Sequence, residues 1–224
     1  TYNITKEIAE TIMTYKIDSG KRILDIVMAP SVDKDALEIL KRKNGKLRVL
    51  INPVLAELGE ESLDKNPRTR YIRGGNLQQD NYTFVIDLSS SEVEKHGKPV
   101  SSDQLDDMQF AWGIGTTSNS NTICLVKNGM LLSNGVGQQD RVTAAELALM
   151  RAKNAGHDTK GASAYSDSFF PFPDGPQILA NAGITAILTT RGSVKDKEVT
   201  DTLTASGVSF CTFPDAQARG FYSH

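Results

Sequence analysis

Cysteine is scarce in this sequence. Its 224 residues hold two, Cys124 and Cys211, far apart and each inside an apolar run, T-I-C-L-V and S-F-C-T-F. Thiols so placed are expected to be buried and free, which speaks against a disulfide framework and fits a reducing cytoplasm. Long apolar runs are missing too. No stretch approaches the roughly 18 residues of a membrane span and no signal peptide is recognisable, so neither spanning nor secretion is expected. An excess of one charge is also lacking. The formal net charge is −2, which excludes a broad electrostatic grip on nucleic acid or membrane. Any phosphate must be held by a few placed arginines. The chain does not begin with methionine, and Thr1 leads straight into an expected helix. It is therefore expected to be the later part of something longer.

What is present suffices for one large domain or two small ones with a real core. Ile4, Ile8, Ile12 and Tyr15 recur at helical spacing. The run I-L-D-I-V-M-A-P follows as a strand stopped by Pro30, and then D-K-D-A-L-E-I-L-K-R-K as a helix capped by Asp33 and ending near Asn44-Gly45. L-R-V-L-I-N-P is expected as a buried strand. This order predicts an α/β architecture with a partly parallel sheet. Asp25, inside the first apolar strand near its C-terminal end, stands where open α/β sheets keep ligand groups; it could equally cap a helix or sit in a salt bridge.

Residues 55 to 69 are polar and loop-like, and Gly74-Gly75 predicts a bulge or close backbone approach within a strand-like run. Residues 89 to 103 are expected as a surface linker with a solvated His96. A helix from Ser102 would bury Leu105, Met108 and Trp112. Asn128-Gly129 predicts a type I′ hairpin turn between T-I-C-L-V and M-L-L-S-N-G-V-G. The next helix has Thr143 and Glu146 as a capping box and Gly156 beyond its far end. Asn121 and Arg141 then flank the two outer ends of one hairpin and are expected to be neighbours. An amide beside a guanidinium can hold a carboxamide or an anion, or can simply tie the hairpin to its loop.

The stretch S-A-Y-S-D-S-F-F-P-F-P-D-G, residues 163 to 175, packs three phenylalanines and two prolines into five residues between Asp167 and Asp174. The prolines fix φ near about −65° and hold Phe170 and Phe172 extended, so a helix is excluded there. Such a wall suits a flat heteroaromatic ligand whose ring N–H groups meet the carboxylates; a core-packed loop over a helix start fits the composition as well. Asp174-Gly175-Pro176 opens a helix, followed by a strand, the loop R-G-S-V, another helix and the strand V-S-F-C-T-F. The tail A-Q-A-R-G-F-Y-S-H, rich in arginine and aromatics, is expected to be docked rather than frayed.

S-D-S-F-F-P-F-P-D-G, the preceding S-N-T-I-C-L-V-K-N-G with G-V-G-Q-Q-D-R-V, and the final R-G-F-Y-S-H resemble the AICAR transformylase domain. That family comprises the phosphoribosylaminoimidazolecarboxamide formyltransferases of purine biosynthesis, often fused to IMP cyclohydrolase; this sequence is most similar to the short form without the cyclohydrolase. The likeness runs from D-I-V-M-A-P at Asp25 to the C-terminus. It implies a cytidine-deaminase-like three-layer sandwich with a mixed sheet. The expected domains are 1–100, the remainder of a first subdomain plus connection, and 101–224, a second subdomain. It implies an obligate homodimer with composite sites, and formyl transfer from 10-formyltetrahydrofolate to the 5-amino group of AICAR. Carried across, the AICAR contacts are Asp25, Asn121, Arg141, Phe169 and Arg219, with Asn121 also in the catalytic set. The folate contacts are Val142, Asp174, Ser193 and Val194. A monovalent cation, K⁺, accompanies some members, and Asp167 lies in the matching region.

The sequence departs from that pattern. The Lys-His pair of a K-H-A-N-P-like segment has no counterpart, and that segment would lie upstream of Thr1, in an absent N-terminal half. Lysines before the S-N motif are replaced by G-I-G-T-T-S-N, and the tail leaves His224 one residue out of step with a family terminal histidine. A non-catalytic nucleotide- or folate-binding module that has lost the pair is the alternative. Zinc deaminase chemistry, suggested only by the fold, needs H-x-E and P-C-x-x-C. Neither run occurs, and no metal is expected.

Overall fold

A computed structural model describes residues 2–17, 20, 22–41 and 46–219. The chain forms two compact units, Thr1–Asp64 and Lys65–His224. The division expected near residue 100 thus falls earlier, because residues 86, 88 and 94–96 belong to the core and sheet of the second unit.

In the first unit, α1 (Lys6–Thr14) is capped by the Thr5 hydroxyl, which accepts from the Ile8 N–H. Its buried face is Ala9 and Met13, while Ile8 and Tyr15 are exposed. The small Ala9 and Ala36 let α1 close on α2 (Lys34–Leu40), and this close approach, not the isoleucine spacing, sets the face. β1 (Ile26–Ala29) runs parallel to β2 (Arg48–Ile51), with Ile26 opposite Arg48. Val27 and Val49 pack on the helices. Ile26, Met28, Leu50 and Ile51 are exposed, so β2 is not the buried strand expected; a two-stranded sheet has only one covered face. Asp33 precedes α2, but its carboxylate accepts from Asn3 Nδ2 at 2.9 Å instead of from its own helix. The helix ends at Leu40, and Asn44-Gly45 lies outside the described residues.

The second unit opens with β3 (Arg68–Ile72) and β4 (Gly75–Gln79), an antiparallel ribbon joined at Arg73-Gly74. Gly74, at φ +84°, makes the turn, so the glycine pair is a hairpin tip and not a bulge. β5 (Glu94–His96) pairs antiparallel with the last strand. The expected linker is therefore an edge strand, and His96 is half-buried beside Phe210. α3 (Ser102–Gly115) begins with a capping box of Ser101 and Gln104.

β6 (Ile123–Lys127) and β7 (Met130–Gly135) form the expected hairpin. Asn128 (φ +53°) and Gly129 (φ +71°) both take the left-handed region. The buried Asp107 of α3 accepts from both turn amides, at 3.0 and 2.7 Å. α4 (Arg141–Asn154), β8 (Ser163–Ser166), α5 (Asp174–Asn181), β9 (Ala186–Arg191), α6 (Asp196–Ala205), β10 (Ser209–Pro214) and the short α7 (Asp215–Ala218) complete the unit.

The six strands lie in the order β5-β10-β9-β8-β6-β7. β8, β9 and β10 are parallel; β5, β6 and β7 run against their neighbours. Alternation sends Ile123, Leu125, Ala164, Ile187 and Phe210 to one face, under α4, α5 and α6. Cys124, Val126, Tyr165, Leu188, Cys211 and Phe213 face α3 on the other. This is a three-layer α/β sandwich with a mixed sheet, and its central strands are apolar on both faces because both are covered. Gly135 permits the close packing of α4, since a Cβ there would lie 2.2 Å from the Ala144 carbonyl oxygen. Among the described residues, no helix is long and apolar enough to cross a membrane.

Candidate functional site

At their C-terminal ends β8 and β9 lead into irregular segments and β10 runs directly into the short α7, leaving a hollow at the place where open α/β sheets admit ligands. The segment entering β6 and the segment leaving β7 reach the same end. The Asn121 N–H and amide both donate to the Gln138 carbonyl, at 3.0 and 2.9 Å, and Gln138 N–H returns a bond to the Asn121 carbonyl. These bonds zip the hairpin's outer ends together and deliver Arg141 beside Asn121. A cavity of about 350 Å³ results, lined by Ser120, Asn121, Asp140, Arg141, Phe169 and Arg219 among others. Four of the five expected nucleotide contacts therefore share one hollow.

Arg141 is held from three sides. Its Nε donates to the Phe169 carbonyl at 2.8 Å, and its Nη1 donates to Ser166 Oγ at 3.3 Å and to Asp167 Oδ1 at 2.6 Å. Asp167 is fully buried, and the same oxygen accepts the Thr122 N–H at 3.1 Å. Oδ1 of the aspartate is thus committed to the guanidinium and to the segment entering β6, and Asp167 is not among the residues that line the cavity, where a flat ligand would meet it. Its other oxygen, Oδ2, has no hydrogen-bond partner. Behind it, burial drives the Tyr165 hydroxyl well above its ordinary pKa, reinforced by Tyr82, Asp167 and Cys124. Burial likewise pushes Cys124 up to about 12, with Asp167 adding to the effect.

The cap of α4 is Asp140, not the expected Thr143–Glu146 pair. Its carboxylate accepts the Thr143 N–H at 2.7 Å and the Thr143 hydroxyl at 2.9 Å, and these bonds hold its pKa below the usual carboxylate value. Gly156, at φ +71°, terminates the helix as expected.

The aromatic stretch is non-helical, but it bends at residues 171–173, where Pro173 takes φ −70° and ψ −15°, and is not the extended wall expected. Phe169 lines the cavity, Phe170 is buried in the core under α4 and α5, and Phe172 points outward at 57% exposure. An extended backbone would put Phe170 and Phe172 on one face; the bends at residues 171–173 turn Phe172 outward while the core takes Phe170.

Asp25 lies in the first unit, before β1 begins at Ile26, and is exposed; its carbonyl accepts the Arg48 N–H at 2.9 Å. It precedes the strand and is not near the C-terminal end, because only the four residues after it pair with β2. The four expected folate contacts do not line this cavity. Val142 is in the first turn of α4, the exposed Asp174 opens α5, and Ser193 and the fully exposed Val194 lie between β9 and α6. Asp174 Oδ1 accepts the Gly175 N–H at 2.8 Å. Residues 220–224, including His224, lie outside the described residues.

Sequence reasoning missed Asp215. Its Oδ2 accepts from Arg219 Nε at 2.8 Å and from Nη2, and its Oδ1 accepts from Ser168 Oγ and Thr190 Oγ1. The spacing D-A-Q-A-R, one helical turn from Asp215 to Arg219, carried that signal. Arg219 also borders a wider hollow of about 670 Å³ with Tyr82, Phe84 and Gln217.

The family described as AICARFT/IMPCHase bienzyme matches residues 2–151. Among similar proteins, the bifunctional purine biosynthesis protein PurH of Anoxybacillus flavithermus is 39% identical over 175 residues, which is 78% of this chain and 32% of that protein. PurH of Thermotoga maritima is 33% identical over 205 residues, 90% of this chain and 40% of its own length. The chain spans about a third of the length of the curated relatives it matches. Among solved structures, the dCMP deaminase of cyanophage S-TIM5 in apo form is 19% identical, with a TM-score of 0.36 over 50% of this chain and 98% of that one. Acinetobacter baumannii RibD, form 2, is 18% identical, with a TM-score of 0.36 over 50% of this chain and 36% of its own.

Proposed function

The chain belongs to the AICARFT/IMPCHase bienzyme family, and from that premise we propose that it acts in purine biosynthesis as part of an AICAR formyltransferase. One observation carries this reading: Asn121, Arg141, Phe169 and Arg219, drawn from four separate segments, line one cavity. AICAR has a planar imidazole carboxamide, a ribose and one phosphate. The Phe169 ring offers a face to the base, Asn121 and Arg141 offer an amide and a guanidinium to the carboxamide, and Arg219 offers a cation to the phosphate.

The reaction joins the AICAR 5-amino group to the formyl carbon of 10-formyltetrahydrofolate. That amine is a poor nucleophile, its lone pair being delocalised into the ring and carboxamide. Catalysis must orient it, remove a proton and stabilise the tetrahedral oxyanion. The residues here supply orientation. Arg141, fixed by Asp167 and the Phe169 carbonyl, holds the carboxamide against rotation, and Asn121 is placed for the catalytic and substrate-holding role. Val142, Asp174, Ser193 and Val194 on the folate side complete the proposed contact set. Among the described residues, the cavity lining includes no lysine or histidine. The proton-transfer groups of this reading are supplied from outside this set of residues, by a second copy in a homodimer with composite sites or by another polypeptide segment. Free buried thiols fit a cytoplasmic setting.

A monovalent cation fits one feature of this structure, the buried and unpartnered Asp167 Oδ2. K⁺ held there by Asp167 would supply charge that stabilises the carboxylate behind Arg141.

Formyl transfer by an assembly that contains this chain and the proposed proton-transfer groups should fall at least about 100-fold in Asn121→Ala. An assembly that binds AICAR yet transfers no formyl group would support the second reading, a non-catalytic binding module, which the lack of a lysine or histidine among the described cavity residues favours. An Asn121→Ala enzyme of full activity would remove Asn121 from catalysis.

A further inference from the structure

Building on the phosphate role just proposed for Arg219, we propose that Asp215 is a positioning residue that aims the Arg219 guanidinium at the cavity. Asp215 is not among the residues bordering the Asn121–Arg141 hollow, whereas Arg219 and Ser168 are. Its carboxylate joins them. Oδ2 takes the Arg219 Nε at 2.8 Å together with Nη2, a two-pronged grip. Oδ1 takes Ser168 Oγ at 3.0 Å and Thr190 Oγ1 at 2.6 Å.

Those hydroxyls are themselves anchored in the sheet. Thr190 is in β9, and the Ser168 carbonyl accepts from Ser166 Oγ and Thr189 Oγ1, each at 2.7 Å. The exits of β8, β9 and β10 are thereby tied to one carboxylate, and the Asp215 side chain is only 12% exposed against 45% for Arg219. An arginine on a surface turn samples many rotamers, and ordering it opposes binding. A guanidinium gripped on two nitrogens by a fixed carboxylate has already lost that freedom. A ligand phosphate then meets a cation in place, which is how rigid pre-organisation strengthens binding. A second link runs through Ser168, whose chain neighbours are Asp167, partner of Arg141, and Phe169. Both arginines of the cavity are thus set by aspartates that stand behind them.

The account predicts an effect confined to the phosphate. Affinities of the chain for AICAR ribonucleotide and for its ribonucleoside, the same base and ribose without phosphate, are compared by calorimetry. Asp215→Asn keeps the shape and removes the charge. It should cut the preference for the ribonucleotide about tenfold or more while leaving ribonucleoside affinity within about twofold. In an Arg219→Ala background the same change should alter the preference no further, because the residue acts through that arginine. Should Asp215→Asn fold poorly, Ser168→Ala loosens the same carboxylate and should reduce the preference in the same direction. Equal weakening of both ligands, or an unchanged preference, overturns the assignment. A wild-type chain without preference for the ribonucleotide overturns the phosphate role of Arg219 itself, and that outcome is seen before any variant is made.

Discussion

The Arg141 guanidinium lies 2.6 Å from the Asp167 carboxylate, which is wholly buried while the arginine's side chain keeps 11% of its surface at the cavity wall. The pair has two functions at once. It holds Arg141 in one orientation, and it gives a wholly buried carboxylate an opposite charge as its partner. Removing either partner therefore changes stability as well as binding. Arg141→Ala should abolish AICAR binding and also destabilise the fold by roughly 3–5 kcal/mol through the stranded aspartate. Arg141→Lys keeps a cation for Asp167 and loses the fork to Phe169 and Ser166. It should recover most of the stability in urea melts and little of the affinity. Tight AICAR binding by Arg141→Lys would show that the fork is dispensable.

The three phenylalanines of the aromatic stretch should separate cleanly. Phe170→Ala should cost roughly 3–5 kcal/mol, since its ring fills the core under α4 and α5. Phe172→Ala should stay within about 0.5 kcal/mol, as an exposed ring does. Phe169→Ala should leave stability little changed and weaken AICAR binding. Denaturant midpoints with one binding titration check all three.

Gly135 has no room for a methyl group. Its Cβ would press on the α4 backbone, 2.2 Å from the Ala144 carbonyl oxygen and 2.9 Å from the Ala148 nitrogen. Gly135→Ala should therefore lower stability by roughly 1–3 kcal/mol or more. A neutral result in thermal melts would show that α4 sits farther from β7 than described.

Burial raises the Cys124 thiol to about 12 and the Cys211 thiol to about 11, the latter slightly opposed by Lys95. The thiolate is the reactive form, so neither should be alkylated by iodoacetamide at pH 8 in the native chain, and both should react in denaturant. Rapid modification of the native chain would contradict their placement.

The α4 cap has a pH signature. Hydrogen bonds from Thr143 lower the Asp140 pKa in the folded state relative to the unfolded chain. A depressed carboxylate contributes stability above its unfolded pKa, about 4, and that contribution is lost as pH falls through the lower folded value. Asp140→Ala should lower Tm by about 2–4 °C at pH 7, with the difference shrinking toward pH 3. A pH-independent difference would exclude the carboxylate as its source.

Local chemistry was the most legible part of the sequence. Asn128-Gly129 gave its turn, the helix–strand alternation gave the α/β class, the family resemblance gave the three layers, and hairpin geometry brought Asn121 to Arg141. What could not be read depended on tertiary partners. Nothing in S-D-S-F-F-P-F-P announces that the core takes Phe170 and that Asp167 turns inward to Arg141. The segment around His96 looked like a linker because a three-residue edge strand has too little periodicity to reveal its pairing with β10. Asp140 displaced a capping box that the sequence spells equally well, because the bend after Gly137 carries its carboxylate onto the first turn. Asp215 escaped notice although its spacing to Arg219 was plain, since its value comes from Ser168 and Thr190 on other strands.

Calorimetric titration of AICAR ribonucleotide into the wild-type chain and into Asn121→Ala tests the central claim most directly, because Asn121 reaches the cavity without holding up the core. The account predicts saturable binding by the wild type and affinity lower by about tenfold or more in Asn121→Ala, with a melting temperature lowered by no more than about 2–4 °C for the lost bond to the Gln138 carbonyl. Absence of wild-type binding, or equal affinity in the two proteins, would contradict the placement of the nucleotide at the Asn121–Arg141 end of the sheet.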